Sequence, residues 1–171
     1  MFISDEYKKL NEQAHLMQPK YGAKGGRRSK LILKLAETYK VSKALDYGCG
    51  KGDLARSIPE LKWQEYDPAI PGKDNIPHSE EMVVCGDVLE HIEPEYIDNV
   101  ISHICSLTEK AAVLIISLRQ GKRKLPDGSF AHKIVKPAKW WMNKIGVISE
   151  THGLNPYILS VDNKELIVVV K

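Results

Sequence analysis

The 171-residue sequence predicts a doubly wound α/β architecture, a mostly parallel sheet with helices on both faces and an antiparallel hairpin at its C-terminal edge. Three observations predict it. Short apolar, β-branched runs alternate with stretches of helical spacing. The first of those runs ends in a glycine-rich turn, Gly48-Cys49-Gly50-Lys51-Gly52, at the point where a strand gives way to a helix. The last two strand-like runs have no helix between them, which argues antiparallel pairing.

Ser4 to Leu16 has the spacing of an amphipathic helix, with Ser4 as its cap and Tyr7, Leu10 and Ala14 on one stripe. Gln18 to Gly26 contains proline and glycine and reads as loop; Arg27 to Tyr39 returns to helical spacing through Leu31, Leu35 and Tyr39. Lys43 to Tyr47 is a short strand, Asp53 caps a helix that Pro59 ends, and Lys62 to Tyr66 is a second strand stopped by Asp67-Pro68. Residues 69 to 81, with Pro71, Gly72 and Pro77, read as loop. Met82 to Cys85 is a buried strand, Pro94 suits the first turn of a helix reaching Leu107, and Ala111 to Leu118 is the most apolar strand. A long basic loop, Arg119 to Lys136, leads to a helix from Pro137 to Ile145, a strand from Val147 to Thr151 and a last strand from Glu165 to Val170.

Composition excludes several classes. With 43% hydrophobic residues and a net charge of +3, the chain is not disordered as a whole. Its longest apolar run, Ala111 to Ile116, falls far short of the roughly 20 residues a membrane helix needs. No secretory signal is visible, and Cys49, Cys85 and Cys105 are odd in number and widely spaced, so a reduced, cytoplasmic protein is expected, without disulfides or a metal site. The small net charge hides clustering. Lys20 to Lys34 holds six Lys/Arg and no acid, and Arg119 to Lys139 holds seven against the single Asp127. If the fold brings these runs to one rim, they favour an anionic partner.

The glycine turn carries the chemistry. Glycines there let backbone N–H groups approach a ligand that any Cβ would exclude. A dinucleotide fingerprint would need Gly at position 53, which is Asp, and a phosphate-binding P-loop would need Gly-Lys-Ser/Thr, which is absent. Gly48-x-Gly50-x-Gly52, preceded by Leu45-Asp46, instead resembles the first motif of class I S-adenosylmethionine-dependent methyltransferases. Asp67, 21 residues after Asp46, stands at the end of the next strand, where an acid can accept both ribose hydroxyls. Cys85-Gly86-Asp87-Val88-Leu89-Glu90-His91 looks like the Asp-Val-Leu-Glu-His segment of small-molecule members.

The resemblance runs from about Arg27 to the C-terminus and implies a Rossmann-like fold binding S-adenosyl-L-methionine. It implies one methyltransferase domain over 1–171, with 1–26 an N-terminal helix and lid-like loop and 27–171 the cofactor-binding core. Carried onto this sequence, Gly48, Cys49, Gly50 and Gly52 would line the methionyl and ribose portion. Asp46 would face the ammonium group, Asp67 with Pro68 the ribose, and Asp87 with Gly86 the sulfonium and transferable methyl. Glu90 and His91 read as a network fixing the start of a helix. The sequence departs from the family between Asp67 and Met82, which is too short for the usual helix, strand and adenine-contacting acid. One edge strand is therefore expected to be missing or vestigial, with adenine held by the loop Ile70 to Ser79, Asp74 included.

The segment Ala131 to Trp141 is similar to the His-x-x-x-x-x-Pro stretch on the acceptor side of small-molecule methyltransferases. His132 is the candidate base or acceptor ligand, and Asp87 its partner in catalysis. Tyr21, Lys24, Arg28 and Trp140 are candidates to border the acceptor, the first three on a lid hinged by glycines. The leading expectation is methyl transfer to oxygen or nitrogen of a small anionic acceptor. A nucleic-acid methyltransferase using the two basic loops and a non-catalytic module that binds the cofactor stay open. No target-recognition domain or Asn/Asp-Pro-Pro-Tyr/Phe signature is present at Asp87; Asn155-Pro156-Tyr157 reads as a turn.

Overall fold

A computed structural model describes residues 1–23 and 25–171. Six strands form one sheet: β1 (Lys43–Tyr47), β2 (Lys62–Tyr66), β3 (Glu80–Gly86), β4 (Thr108–Ser117), β5 (Pro156–Val161) and β6 (Glu165–Val170), in the order β2-β1-β3-β4-β6-β5. The first four are parallel; β6 runs antiparallel to β4, and β5 antiparallel to β6. The expected doubly wound sheet with a C-terminal hairpin is the observed one. β2 is an edge strand, and the segment from Asp67 to Ser79 crosses to β3 as irregular chain.

Alternation along the strands sorts the core into two layers. Leu45, Tyr47, Val83, Cys85, Leu114, Ile116 and Val168 face α4 (Ile97–Ser106) and α5 (Ala138–Glu150). Ala44, Met82, Val84, Val113, Ile115 and Val169 face α2 (Ser29–Tyr39) and α3 (Asp53–Ser57). β3 starts earlier than its apolar run because Glu81 is fixed at the sheet end, accepting from the Ser42 and Lys43 N–H at 2.6 and 3.0 Å.

Two sequence expectations fail at the C-terminal end. Val147 to Thr151 is not a strand, because α5 runs on to Glu150 with Trp141, Ile145 and Ser149 on its buried side and Val147 at 69% exposure. Four β-branched or small residues in a row match either period, and the helical stripe decides. Asn155-Pro156-Tyr157 is not a turn. It opens β5, with Asn155 and Lys171 exchanging backbone hydrogen bonds of 2.8 and 3.1 Å. Proline is tolerated there as the first residue of an edge strand, where no ladder N–H is lost. Pro94 likewise lies in a turn ahead of α4, which starts at Ile97.

The N-terminal helix α1 (Asp5–Met17) is tied across the carboxyl edge of the sheet. The Ser4 side chain accepts from the Tyr7 N–H at 3.1 Å, while its own N–H and hydroxyl donate to the Glu93 carboxylate at 2.9 and 2.6 Å. The Tyr7 hydroxyl donates to the His91 carbonyl at 2.8 Å. Both anchors lie just after β3, so α1 roofs the strand ends.

The α5 assignment has a simple thermodynamic test. Ile145→Ala, which empties a fully buried position, is expected to cost about 2–5 kcal/mol in a urea titration. Val147→Ala is expected to be neutral or stabilising by about 0.5 kcal/mol, since alanine is the better helix former; a clear loss of stability at 147 would contradict helix there.

Candidate functional site

The carboxyl ends of β1 to β4 open into a cavity of about 660 Å³. Its floor is the glycine turn after β1, its sides are Asp67-Pro68-Ala69, Gly86 to Ile92 and the loop containing Lys122, Arg123 and His132, and α1 with the following loop covers it. This is where a parallel sheet offers N–H groups and helix starts to a ligand.

The turn is built for close approach. Gly48 and Gly50 have φ of 78° and 52°, and a Cβ at Gly50 would lie 2.4 Å from the Gly22 carbonyl oxygen. The N-terminal loop therefore rests directly on the turn, and the Lys51 N–H donates to the Gly22 oxygen at 2.9 Å. Arg123 pins the same loop from the opposite wall, donating to the Lys20 carbonyl at 3.0 Å with its guanidinium 5.3 Å from the Tyr21 ring centre. Tyr21 is buried and donates to Asn11 Oδ1 at 2.6 Å; burial and the charge of Asp67 push its phenol up to about 12.

Three carboxylates mark the strand ends. Asp46, at the end of β1, is buried, and burial together with the charge of Glu65 pushes it up to about 7, against the pull of Lys73. Asp67, after β2, accepts from the Gly50 N–H and from the Ala69 N–H, both at 3.0 Å, and His15 of α1 stands 3.9 Å away. Burial holds His15 below its ordinary value, with Asp67 pulling the other way. Asp87, after β3, has φ of 55°, a left-handed conformation costing about 1 kcal/mol or more for a residue with a side chain. Its N–H donates to the Ile115 carbonyl at 2.9 Å, and Arg27 lies 3.3 Å from its carboxylate.

Beyond Asp87 a second polar cluster enters the same cavity. Glu90 is fully buried; its Oε1 accepts from the Ser117 N–H at 3.2 Å, and its Oε2 has no partner. Its carbonyl accepts from the Lys133 and Ile134 N–H at 2.8 and 3.0 Å, which lays the 131–134 segment alongside and brings His132 to His91, ring centres 4.7 Å apart. Burial and the charge of Asp87 push Glu90 up to about 8; burial and His132 push His91 down to about 3. His132 Nδ1 lies 2.8 Å from the Arg119 carbonyl, which makes Nδ1 the protonated nitrogen and leaves Nε2 with its lone pair.

Asp46, Gly48, Cys49, Gly50, Asp67, Pro68, Gly86, Asp87, Tyr21, Arg28 and His132 thus meet on one cavity. Gly52 does not line it; it precedes α3 with Glu65 and Lys73 against its Cα. Trp140 does not line it either. It packs edge-to-face on buried Trp141 with Lys144 over its ring, because successive helix residues point about 100° apart and Trp141 takes the core. Asp74 bonds to the Gly72 N–H and pairs with Lys8 outside the wall, so from the shortened loop only Pro68 and Ala69, ahead of Ile70, reach the cavity. Lys24 lies outside the described residues. Asn11 and His15 escaped sequence reading, as did the meeting of Glu90 and His91 with His132. The α1 residues carry no motif, and the cluster is assembled across two distant segments.

No protein-family model and no curated protein sequence matches the chain. Solved structures do. A S-adenosylmethionine-dependent methyltransferase from Clostridium acetobutylicum superposes with a TM-score of 0.63 at 13% identity, over 94% of this chain and 98% of that one. The 1,6-didemethyltoxoflavin-N1-methyltransferase of Burkholderia thailandensis, solved with its substrate and S-adenosylhomocysteine, gives 0.63 at 12% identity, over 96% and 88%. An O-methyltransferase family protein from Burkholderia thailandensis gives 0.58 at 14% identity, over 93% of this chain but only 62% of that one. The fold is that of class I methyltransferases.

Contact between the turn and the N-terminal loop is testable through Gly50→Ala. The new Cβ meets the Gly22 carbonyl, so the Lys51 amide that donates to it is expected to exchange at least about tenfold faster with deuterium. Gly72→Ala, at an equally positive φ but in open space, is expected to cost about 1–2 kcal/mol of backbone strain and leave that amide unchanged.

Proposed function

We propose that the chain is an S-adenosylmethionine-dependent methyltransferase acting on oxygen or nitrogen of a small anionic acceptor. The observation that carries this reading is Asp46: a buried carboxyl that burial and the charge of Glu65 push up to about 7, beside a side-chain-free glycine turn, in a cavity large enough for a cofactor. A cationic ligand resolves that burial, and a sulfonium amino acid joined to a nucleoside is cationic at one end. The methyltransferase folds that superpose on this chain support the same cofactor, since one of them holds its demethylated form.

Asp46 would hold the ammonium group, Gly48, Cys49 and Gly50 the chain of atoms beside it, and Asp67 the ribose hydroxyls. Asp67 already accepts one N–H on each oxygen, and a carboxylate has about four acceptor positions, so capacity remains. Bound S-adenosylmethionine supplies a methyl group on a positively charged sulfur, so the protein's task is to place the acceptor in line and receive its proton. His132 suits the second part. Its Nδ1–H is committed to the Arg119 carbonyl, and Nε2 is free to take a proton.

Arg28, Lys122 and Arg123 bring both basic runs to the cavity wall, which supports an anionic acceptor. Roofing by α1 supports a small acceptor over a polymer. Residues 1–26 act as the cover and 27–171 as the binding core.

Calorimetry with S-adenosylmethionine tests the cofactor. Below about 7 Asp46 is protonated and neutral, and above it the carboxylate attracts the cation, so affinity is expected to rise from about pH 6 to about pH 8. Asp46→Asn is expected to weaken binding at least about tenfold at the higher pH and flatten the profile. Absence of binding by the wild type would end this reading.

A further inference from the structure

We propose that Glu90, His91 and His132 bind a divalent transition-metal ion of the Mn(II), Fe(II) or Zn(II) class, with its open positions facing the cavity. One ligand atom from each of these residues lies within 4.8 Å of the others, a spread that a single ion can bridge with small rotamer changes. Two imidazoles and one carboxylate form a donor set that favours such ions over calcium or magnesium, which prefer oxygen alone.

The orphaned atoms point to a ligand. Glu90 Oε2 and His91 Nδ1 are both buried and, among the described residues, both are without a hydrogen-bond partner, a rare state for polar atoms in a folded protein. A carboxylate oxygen and an imidazole lone pair can share one cation, which would ionise Glu90 as it binds. The remaining polar atoms of His132 and Glu90 are committed in the way metal ligands usually are. His132 gives its Nδ1–H to the Arg119 carbonyl, and Glu90 Oε1 accepts from the Ser117 N–H. The first bond fixes the His132 tautomer and leaves its Nε2 lone pair free.

Three protein ligands leave coordination positions open, as in catalytic rather than structural sites. All three residues line the same cavity as Asp46 and Asp67. The acceptor would then be a compound that offers oxygen atoms to a metal, such as a catechol or hydroxy acid. That role rests on the methyltransferase reading; the metal site itself does not. With an ion bound, His132 Nε2 would be a ligand and not the base, and the ion would lower the acceptor's pKa in its place.

The test uses full-length protein stripped with a chelator and titrated with Co(II), whose visible absorption reports coordination by nitrogen and oxygen. One equivalent is expected, with a rise in melting temperature. His132→Ala changes a half-buried loop residue and keeps the fold; it is expected to weaken Co(II) binding at least about tenfold, as is the isosteric Glu90→Gln. No absorption change and no thermal shift at millimolar Co(II), or undiminished binding by both variants, would overturn the site and leave the cluster a structural network. S-adenosylmethionine binding is measured on the same samples. Co(II) binding without it would overturn the function and keep the metal; the reverse would do the opposite.

Discussion

Everything in the site hangs on the Asp67 carboxylate. One of its oxygens holds the Gly50 N–H and the other the Ala69 N–H, so a single side chain joins the turn after β1 to the turn after β2. The geometry of a parallel sheet makes such a tie necessary. Adjacent strands β1 and β2 end side by side, and their turns leave the ladder with unpaired N–H groups. Because Gly50 is held there, its open face meets Gly22, and the N-terminal loop and α1 come to rest on the turn. His15 then reaches Asp67 from the roof, so core, turn and cover share one anion.

Much of this was legible in the sequence because the parts that define the sheet are local. Each strand runs straight into its own turn, with Gly48 to Gly52 after β1 and Asp67 after β2, so the strand ends can be read in place although the sheet order is not the chain order. Trimming between Asp67 and Met82 was legible for the same reason. Chain length alone forbids a helix and strand there, and β2 is indeed an edge. The end of α5 was not legible. Val147-Ile148-Ser149 fits helix and strand periods equally, and only its packing through Ile145 and Ser149 selects the helix. Trp140 and Trp141 posed the same problem about two turns earlier, where sequence cannot say which of two neighbours faces inward.

The charge clusters became readable only with the topology. The two basic runs do reach one rim, but several of their members are engaged there. Arg27 pairs with Asp87, Arg28 with Glu165 at the start of β6, and Arg123 caps the Lys20 carbonyl. Arg27 and Arg28 thus tie the start of α2 to the ends of β3 and β6, and Arg123 ties the cover to the basic loop. Net charge of the sequence counts these residues as surface, whereas the fold uses them as fasteners.

Asp46 and Glu90 show the cost of building such a cavity. Both are carboxyls at strand ends, and both titrate in the folded state well above their ordinary values, at about 7 and about 8. The sign follows from linkage: the folded protein keeps these protons longer than the unfolded chain does, so their stabilising contribution is complete below about pH 4 and is lost as pH rises through those values. At physiological pH and above these two carboxyls therefore work against the fold. Positive charge arriving beside each of them would remove the conflict, so the cofactor proposed at Asp46 and the ion proposed at Glu90 would answer the same electrostatic question.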